Sequence, residues 1–145
     1  EFNNKNTGYF NNLAFHHDPV VRTRAICIIA EIGGEEAVST ISKVLTKDID
    51  DLVRHEAAFS LGQLGFTSGI KALSDAVKND SSIFVRHEAA VALGVIGSED
   101  ARGILIDALN DSNEEVKKSA MVALANLDYI FRSKKINKFT RLTGG

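Results

Sequence analysis

The chain has 145 residues, 44% of them apolar and 25% charged, enough for one domain with a buried core and typical of a water-soluble fold. No apolar run approaches 18 residues, which excludes a membrane span, and the start Glu1-Phe2-Asn3-Asn4-Lys5-Asn6 lacks the basic-then-apolar character of a signal peptide. The net charge of −2 combines five basic residues and no acidic one after Asp128 with a body of −7, a balance that suits a cationic partner or metal ions rather than nucleic acid.

In chain order, residues 1–8 form a polar extension expected to fray, and the missing initiator Met suggests a processed or excised chain. His16-His17-Asp18 then reads as a turn. Asp18 is placed to cap a helix whose first residue is Pro19. Four segments superpose without gaps from here on, running from Val21 to Gly33, Val53 to Gly65, Val85 to Gly97 and Val116 to Asp128. Their anchors Arg22, Arg54, Arg86 and Lys117 lie 32, 32 and 31 residues apart. A fixed period of this size predicts an all-α solenoid of about four helical hairpins, each burying its apolar face on the next. In the second unit, helix A is expected over 35–45 and helix B over 51–64. Gly33, Gly65 and Gly97 stand where the B helices should stop, while Thr67 and Ser98 are candidate caps for the following A helices.

The repeat domain therefore spans 9–128, with units near 9–33, 34–65, 66–97 and 98–128. Residues 129–145 form a basic segment outside the repeat. Its Ile130, Phe131, Ile136, Phe139 and Leu142 read as a partly helical cap over the last unit, and its charges as either a solvated face or a weak anchor for an anionic surface. One cysteine, Cys27, excludes an internal disulfide framework and fits a reducing, cytoplasmic setting. No basic neighbour that would activate its thiol is evident.

The second and third units each carry a His-Glu pair, His55-Glu56 and His87-Glu88, where the outer units have Thr23-Arg24 and Lys118-Ser119. At 100° per residue, His55 falls about 160° from the core-facing Ala57, and Glu56 about 100° from it. His87 and Glu88 repeat this arrangement around Ala89. Both histidines thus belong to the outward side of helix B, where solenoids commonly form a concave partner-binding surface. Helices about 8–10 Å apart let two imidazoles share one ion at about 2.0–2.1 Å, with a carboxylate as third ligand or hydrogen-bond support. Two His and one carboxylate with open positions suit non-haem iron. The competing reading is solvated decoration copied by repeat duplication. Gly62 and Gly94 either leave open floor beside each histidine or permit close helix contact, at about 1 kcal/mol each relative to Ala.

The stretches Val53-Arg54-His55-Glu56-Ala57-Ala58-Phe59-Ser60-Leu61-Gly62-Gln63-Leu64-Gly65 and Val85-Arg86-His87-Glu88-Ala89-Ala90-Val91-Ala92-Leu93-Gly94-Val95-Ile96-Gly97 resemble deoxyhypusine hydroxylase. The repeat is shared more broadly with HEAT-like proteins such as phycobilin lyase subunits; the doubled His-Glu is the more specific feature. The resemblance implies a HEAT-like solenoid and an iron-dependent monooxygenase, di-iron across two halves, that hydroxylates a deoxyhypusine side chain of a translation factor. It also implies that His55, His87 and Glu88 hold one iron, with Glu56 bridging or supporting. Another divalent metal would be compatible with the same donors. The family carries four His-Glu pairs in two halves, and this chain carries two. It therefore resembles one half, which a homodimer or a separate second half would complete. The alternative is a non-catalytic scaffold holding a protein or chromophore on its concave face.

Overall fold

A computed structural model of the chain describes residues 4–143, with side chains described from Thr7 to Lys138. Helices run over Asn4–Leu13 (α1), Pro19–Ile32 (α2), Glu35–Lys47 (α3), Asp51–Leu64 (α4), Ile70–Asn79 (α5), Ile83–Ile96 (α6), Arg102–Ala108 (α7) and Glu114–Thr143 (α8). There is no strand among the described residues. The four hairpins are α1/α2, α3/α4, α5/α6 and α7/α8. The first helices of the hairpins form one layer, and α2, α4, α6 and α8 pack in sequence as the other.

The local chemistry that sets these helices repeats with the period. Asp18 accepts from the Val20 amide at 2.8 Å with Pro19 opening α2, and Asp50 accepts from Leu52 at 2.8 Å ahead of α4. Gly65 and Gly97 close α4 and α6 in the left-handed region, at φ 75° and 72°, where a side chain would be strained. Ser98 caps a short 3-10 turn over Glu99–Ala101 that leads into α7. Thr67 does not cap; it lies inside the corresponding turn Thr67–Gly69, which opens from Phe66 without a side-chain bond.

Between the layers lies one continuous core. Ile26 and Ile29, then Val53, Ala57 and Leu61, then Val85, Ala89 and Leu93, then Val116, Ala120 and Leu127 point inward from the second layer, all buried. Ile41, Leu45, Leu73, Val77 and Leu105 meet them from the first. Burying each large aliphatic side chain contributes about 1.5–3 kcal/mol, so the interlayer core is what holds the hairpins together.

A polar ladder ties successive hairpins. Arg22 forks onto Asp48 at 2.7 and 3.0 Å, Arg54 onto Asp80 at 2.9 and 3.0 Å, and Arg86 onto Asp111 at 3.0 and 3.3 Å. Each aspartate also accepts a backbone amide of its own turn, from Asp50, Ser82 and Asn113 respectively. Arg54 and Arg86 each donate a further bond to the carbonyl of the preceding aspartate, Asp48 and Asp80. The arginines that mark the period are therefore the rungs between units, a geometry that favours Arg over Lys because the fork is planar and bidentate.

The ends differ from expectation. α1 begins at Asn4, within the polar stretch 1–8, while Glu1–Asn3 lie outside the described residues. At the other end α8 runs through Tyr129 without a break. The fourth unit has Asp128 where the earlier ones have a helix-ending glycine, and Asp128 pairs with Arg102 at 2.9 Å instead of turning the chain. Tyr129, Phe131 and Ile136 are exposed along this extension, so they do not lie over the last unit; Ile130 alone leans back, with its Cδ1 close to Gly97. The side chains of Phe139, Arg141 and Leu142 lie outside the described residues.

Candidate functional site

The site is laid out by the stacking of α2, α4, α6 and α8. On α4, Leu52, His55, Glu56 and Phe59 form one stripe on the side away from the core; on α6 the same stripe is Phe84, His87, Glu88 and Val91. This spacing of three and four residues puts side chains on one helix face. His55, Glu56, His87 and Glu88 are all half-buried, set into the seams between helices rather than standing in solvent.

The contacts run diagonally from one repeat to the next. His55 Nε2 lies 3.3 Å from Glu88 Oε2. One repeat on, His87 Nδ1 meets the hydroxyl of Ser119, which occupies on α8 the position of the two glutamates. Glu56 turns the other way, toward α2, and accepts a bond from the thiol of Cys27 at 3.3 Å. The structure thus joins His55 with Glu88 and engages His87 and Glu56 elsewhere. Among the described residues, no group of three or more His, Cys, Asp or Glu side chains is gathered as a metal site.

Gly62 and Gly94 do not provide open floor. A Cβ on Gly62 would meet Ala92 Cα and Cβ at 2.9 Å, and one on Gly94 would meet Ala123 Cβ at 2.8 Å and Cα at 2.9 Å. Both glycines are buried where neighbouring helices touch. Their function is close approach of α4 to α6 and of α6 to α8, which is what brings the diagonal His-Glu and His-Ser pairs within reach.

Cys27 is exposed, yet partial burial of its sulfur and then its bond to Glu56 push the thiol up to about 11. A shift of this size cuts the thiolate fraction near neutrality about 100-fold, and the greater nucleophilicity of a more basic thiolate restores about tenfold. Alkylation of Cys27 by iodoacetamide near pH 8 is therefore expected to be about tenfold slower than that of a free cysteine. A rate equal to free cysteine would show that the Glu56 contact does not hold in solution. His16-His17-Asp18 is occupied as a turn: His16 Nδ1 accepts from the Asp18 amide at 3.0 Å, and the carbonyls of His16 and His17 accept from Arg22.

Two features were missed at the level of sequence. Ser119 was seen only as a position lacking Glu, although it is in register with Glu56 and Glu88. The aspartates Asp48, Asp80 and Asp111 follow their arginines by 26, 26 and 25 residues, a second periodicity that marks the ladder.

Around the four His and Glu side chains the same face leaves Val20, Leu52, Phe84, Phe59, Val91 and Val122 exposed in rows across successive helices. Two such rows flank the polar stripe of His and Glu side chains.

With helical hairpins stacked in register and the arginine–aspartate ladder between them, the chain belongs to the HEAT-repeat family, whose sequence model matches residues 40–125. Comparison with curated proteins gave no match. Among solved structures it is similar to human deoxyhypusine hydroxylase in complex with glycerol, with a TM-score of 0.79 at 29% identity over 85% of this chain and 43% of that one. Two engineered proteins are also similar, both with a TM-score of 0.59. One is 26% identical over 83% of this chain and 62% of its own, the other 25% identical over 86% and 64%. The fold is thus a HEAT-repeat fold of the deoxyhypusine hydroxylase type. The chain spans less than half the length of the human enzyme. No described helix is long and apolar enough to cross a membrane.

Proposed function

We propose that this chain is one half of an iron-dependent hydroxylase of the deoxyhypusine hydroxylase type, with His55, His87 and Glu88 as the donors of one iron and Glu56 in support. The observation that carries the reading is the His55–Glu88 pair at 3.3 Å, donors from two different repeats held together on the open face. The donor set fits the metal chemically: two imidazoles and a carboxylate, half-buried, with Glu56 withdrawn to Cys27. Iron held there would supply the redox chemistry with dioxygen that hydroxylates an unactivated C–H bond.

The chain's own residues would do the rest. His55 and Glu88 are prepaired, so little reorganisation of these two donors is needed before they take up a cation. The acidic body attracts a cationic, polyamine-like side chain of a protein substrate, and the apolar rows around the donors exclude water once covered. The cover is a second half, supplied by another copy of the chain. Its apolar face meets the face that each half exposes, and it would bring the second pair of His-Glu motifs.

Equilibrium dialysis of the protein against ferrous ion without oxygen tests the metal reading. About one iron per chain is expected. Failure to bind iron, with recovery of a protein or chromophore partner on the same face, would favour a non-catalytic scaffold.

A further inference from the structure

We propose that Ser119 is a positioning residue for His87, holding its imidazole as the Nδ1–H tautomer so that Nε2 presents its lone pair to the open face. The argument rests on where one hydrogen goes. Ser119 is buried, at 6% exposure, and its Oγ lies 2.8 Å from the carbonyl oxygen of Glu115 one turn earlier on α8. A carbonyl only accepts, so the hydroxyl hydrogen of Ser119 is donated there. What Ser119 has left for the imidazole is a lone pair. His87 Nδ1, in contact with that oxygen, must therefore bring the hydrogen to their shared bond. A neutral imidazole carries one N–H, which leaves Nε2 bare and basic.

The two histidines of the motif are thus held by opposite nitrogens. Glu88 has the reach to meet His55 at Nε2, the far side of the ring. Ser119 occupies the same register on the next helix but its oxygen is two bonds closer to the backbone, and it meets His87 at Nδ1, beside the Cβ. The step from Glu to Ser in the fourth unit is what separates the roles. Its consequence for metal binding rests on the reading above, in which His87 is a ligand; the tautomer itself does not. A fixed ring nitrogen behind a ligating histidine typically carries about 10–100-fold in metal affinity.

The test uses the full chain without metal. Long-range proton–nitrogen correlation of the imidazoles at about pH 8, with His87 assigned through H87Q, is expected to show Nδ1–H in the parent protein. Ser119→Ala should move His87 toward the Nε2–H form or a mixture, and Ser119→Thr, which keeps the hydroxyl, should restore the parent pattern. Helical circular dichroism checks that both variants fold, and Ser119→Thr keeps the comparison valid if Ser119→Ala does not. Ferrous-ion titration of the same proteins should show affinity about 10–100-fold weaker for Ser119→Ala and near the parent value for Ser119→Thr. An Nε2–H imidazole in the parent, or a tautomer that Ser119→Ala leaves unchanged, would overturn the proposal. A parent protein with the expected tautomer but no iron uptake supports the role of Ser119 and refutes the metal reading, so the two fail separately.

Discussion

The double variant His55→Ala/His87→Ala is expected to lose stoichiometric iron binding while retaining its helical content. Neither side chain belongs to the core: His55 is 38% exposed at the side chain, and each ring makes a single polar contact, to Glu88 and to Ser119. Losing such a contact costs about 0.5–1.5 kcal/mol, so the melting temperature should fall by only about 2–6 °C per site. Iron binding, by contrast, should fall below detection, because a lone carboxylate with water holds a ferrous ion far more weakly than two imidazoles and a carboxylate. Metal analysis and a thermal melt of the same preparation check both halves of the expectation. Iron retained at the parent level would exclude these histidines as the site.

The largest stability effect should come from the ladder. Arg54→Ala removes two bonds to Asp80 and one to the carbonyl of Asp48, and both partners are mostly buried, with side-chain exposures of 12% and 8%. The Asp80 carboxylate then keeps only the amide of Ser82, and a poorly paired charge is left between the second and third units. Breaking one partner of such a pair costs about 3 kcal/mol, which for a chain of this size lowers the melting temperature by about 10 °C. Arg54→Lys should recover less than half, since an ammonium cannot form the fork. Urea unfolding of the three proteins measures this. A loss below about 1 kcal/mol for Arg54→Ala would mean that the interlayer core alone couples the repeats.

The repeat was legible because its punctuation is chemical. Glycines with positive φ at Gly33, Gly65 and Gly97 and the anchors Arg22, Arg54 and Arg86 recur at a period that tertiary packing cannot disguise, and helix α4 falls on its expected bounds. The extension was legible as partly helical but not as a continuation of α8, because its apolar residues follow no stripe and its continuity comes from an absent glycine at Asp128 rather than from a pattern present. The roles of Gly62 and Gly94 stayed open because a helical wheel gives direction without distance: it put both beside the histidines but could not tell that Ala92 and Ala123 fill the space. The outward placement of the histidines was readable from the same wheel. Their partners were not, since Glu88, Ser119 and Cys27 reach across repeats, and the stagger between neighbouring helices selects which register positions meet.

The most direct measurement is sedimentation of the purified chain with ferrous ion, with iron counted in the sedimenting species. A half-site completed by a second copy is expected to give a particle of twice 15.7 kDa carrying about one iron per chain. A 15.7 kDa monomer that carries no iron at saturating ferrous ion would contradict it.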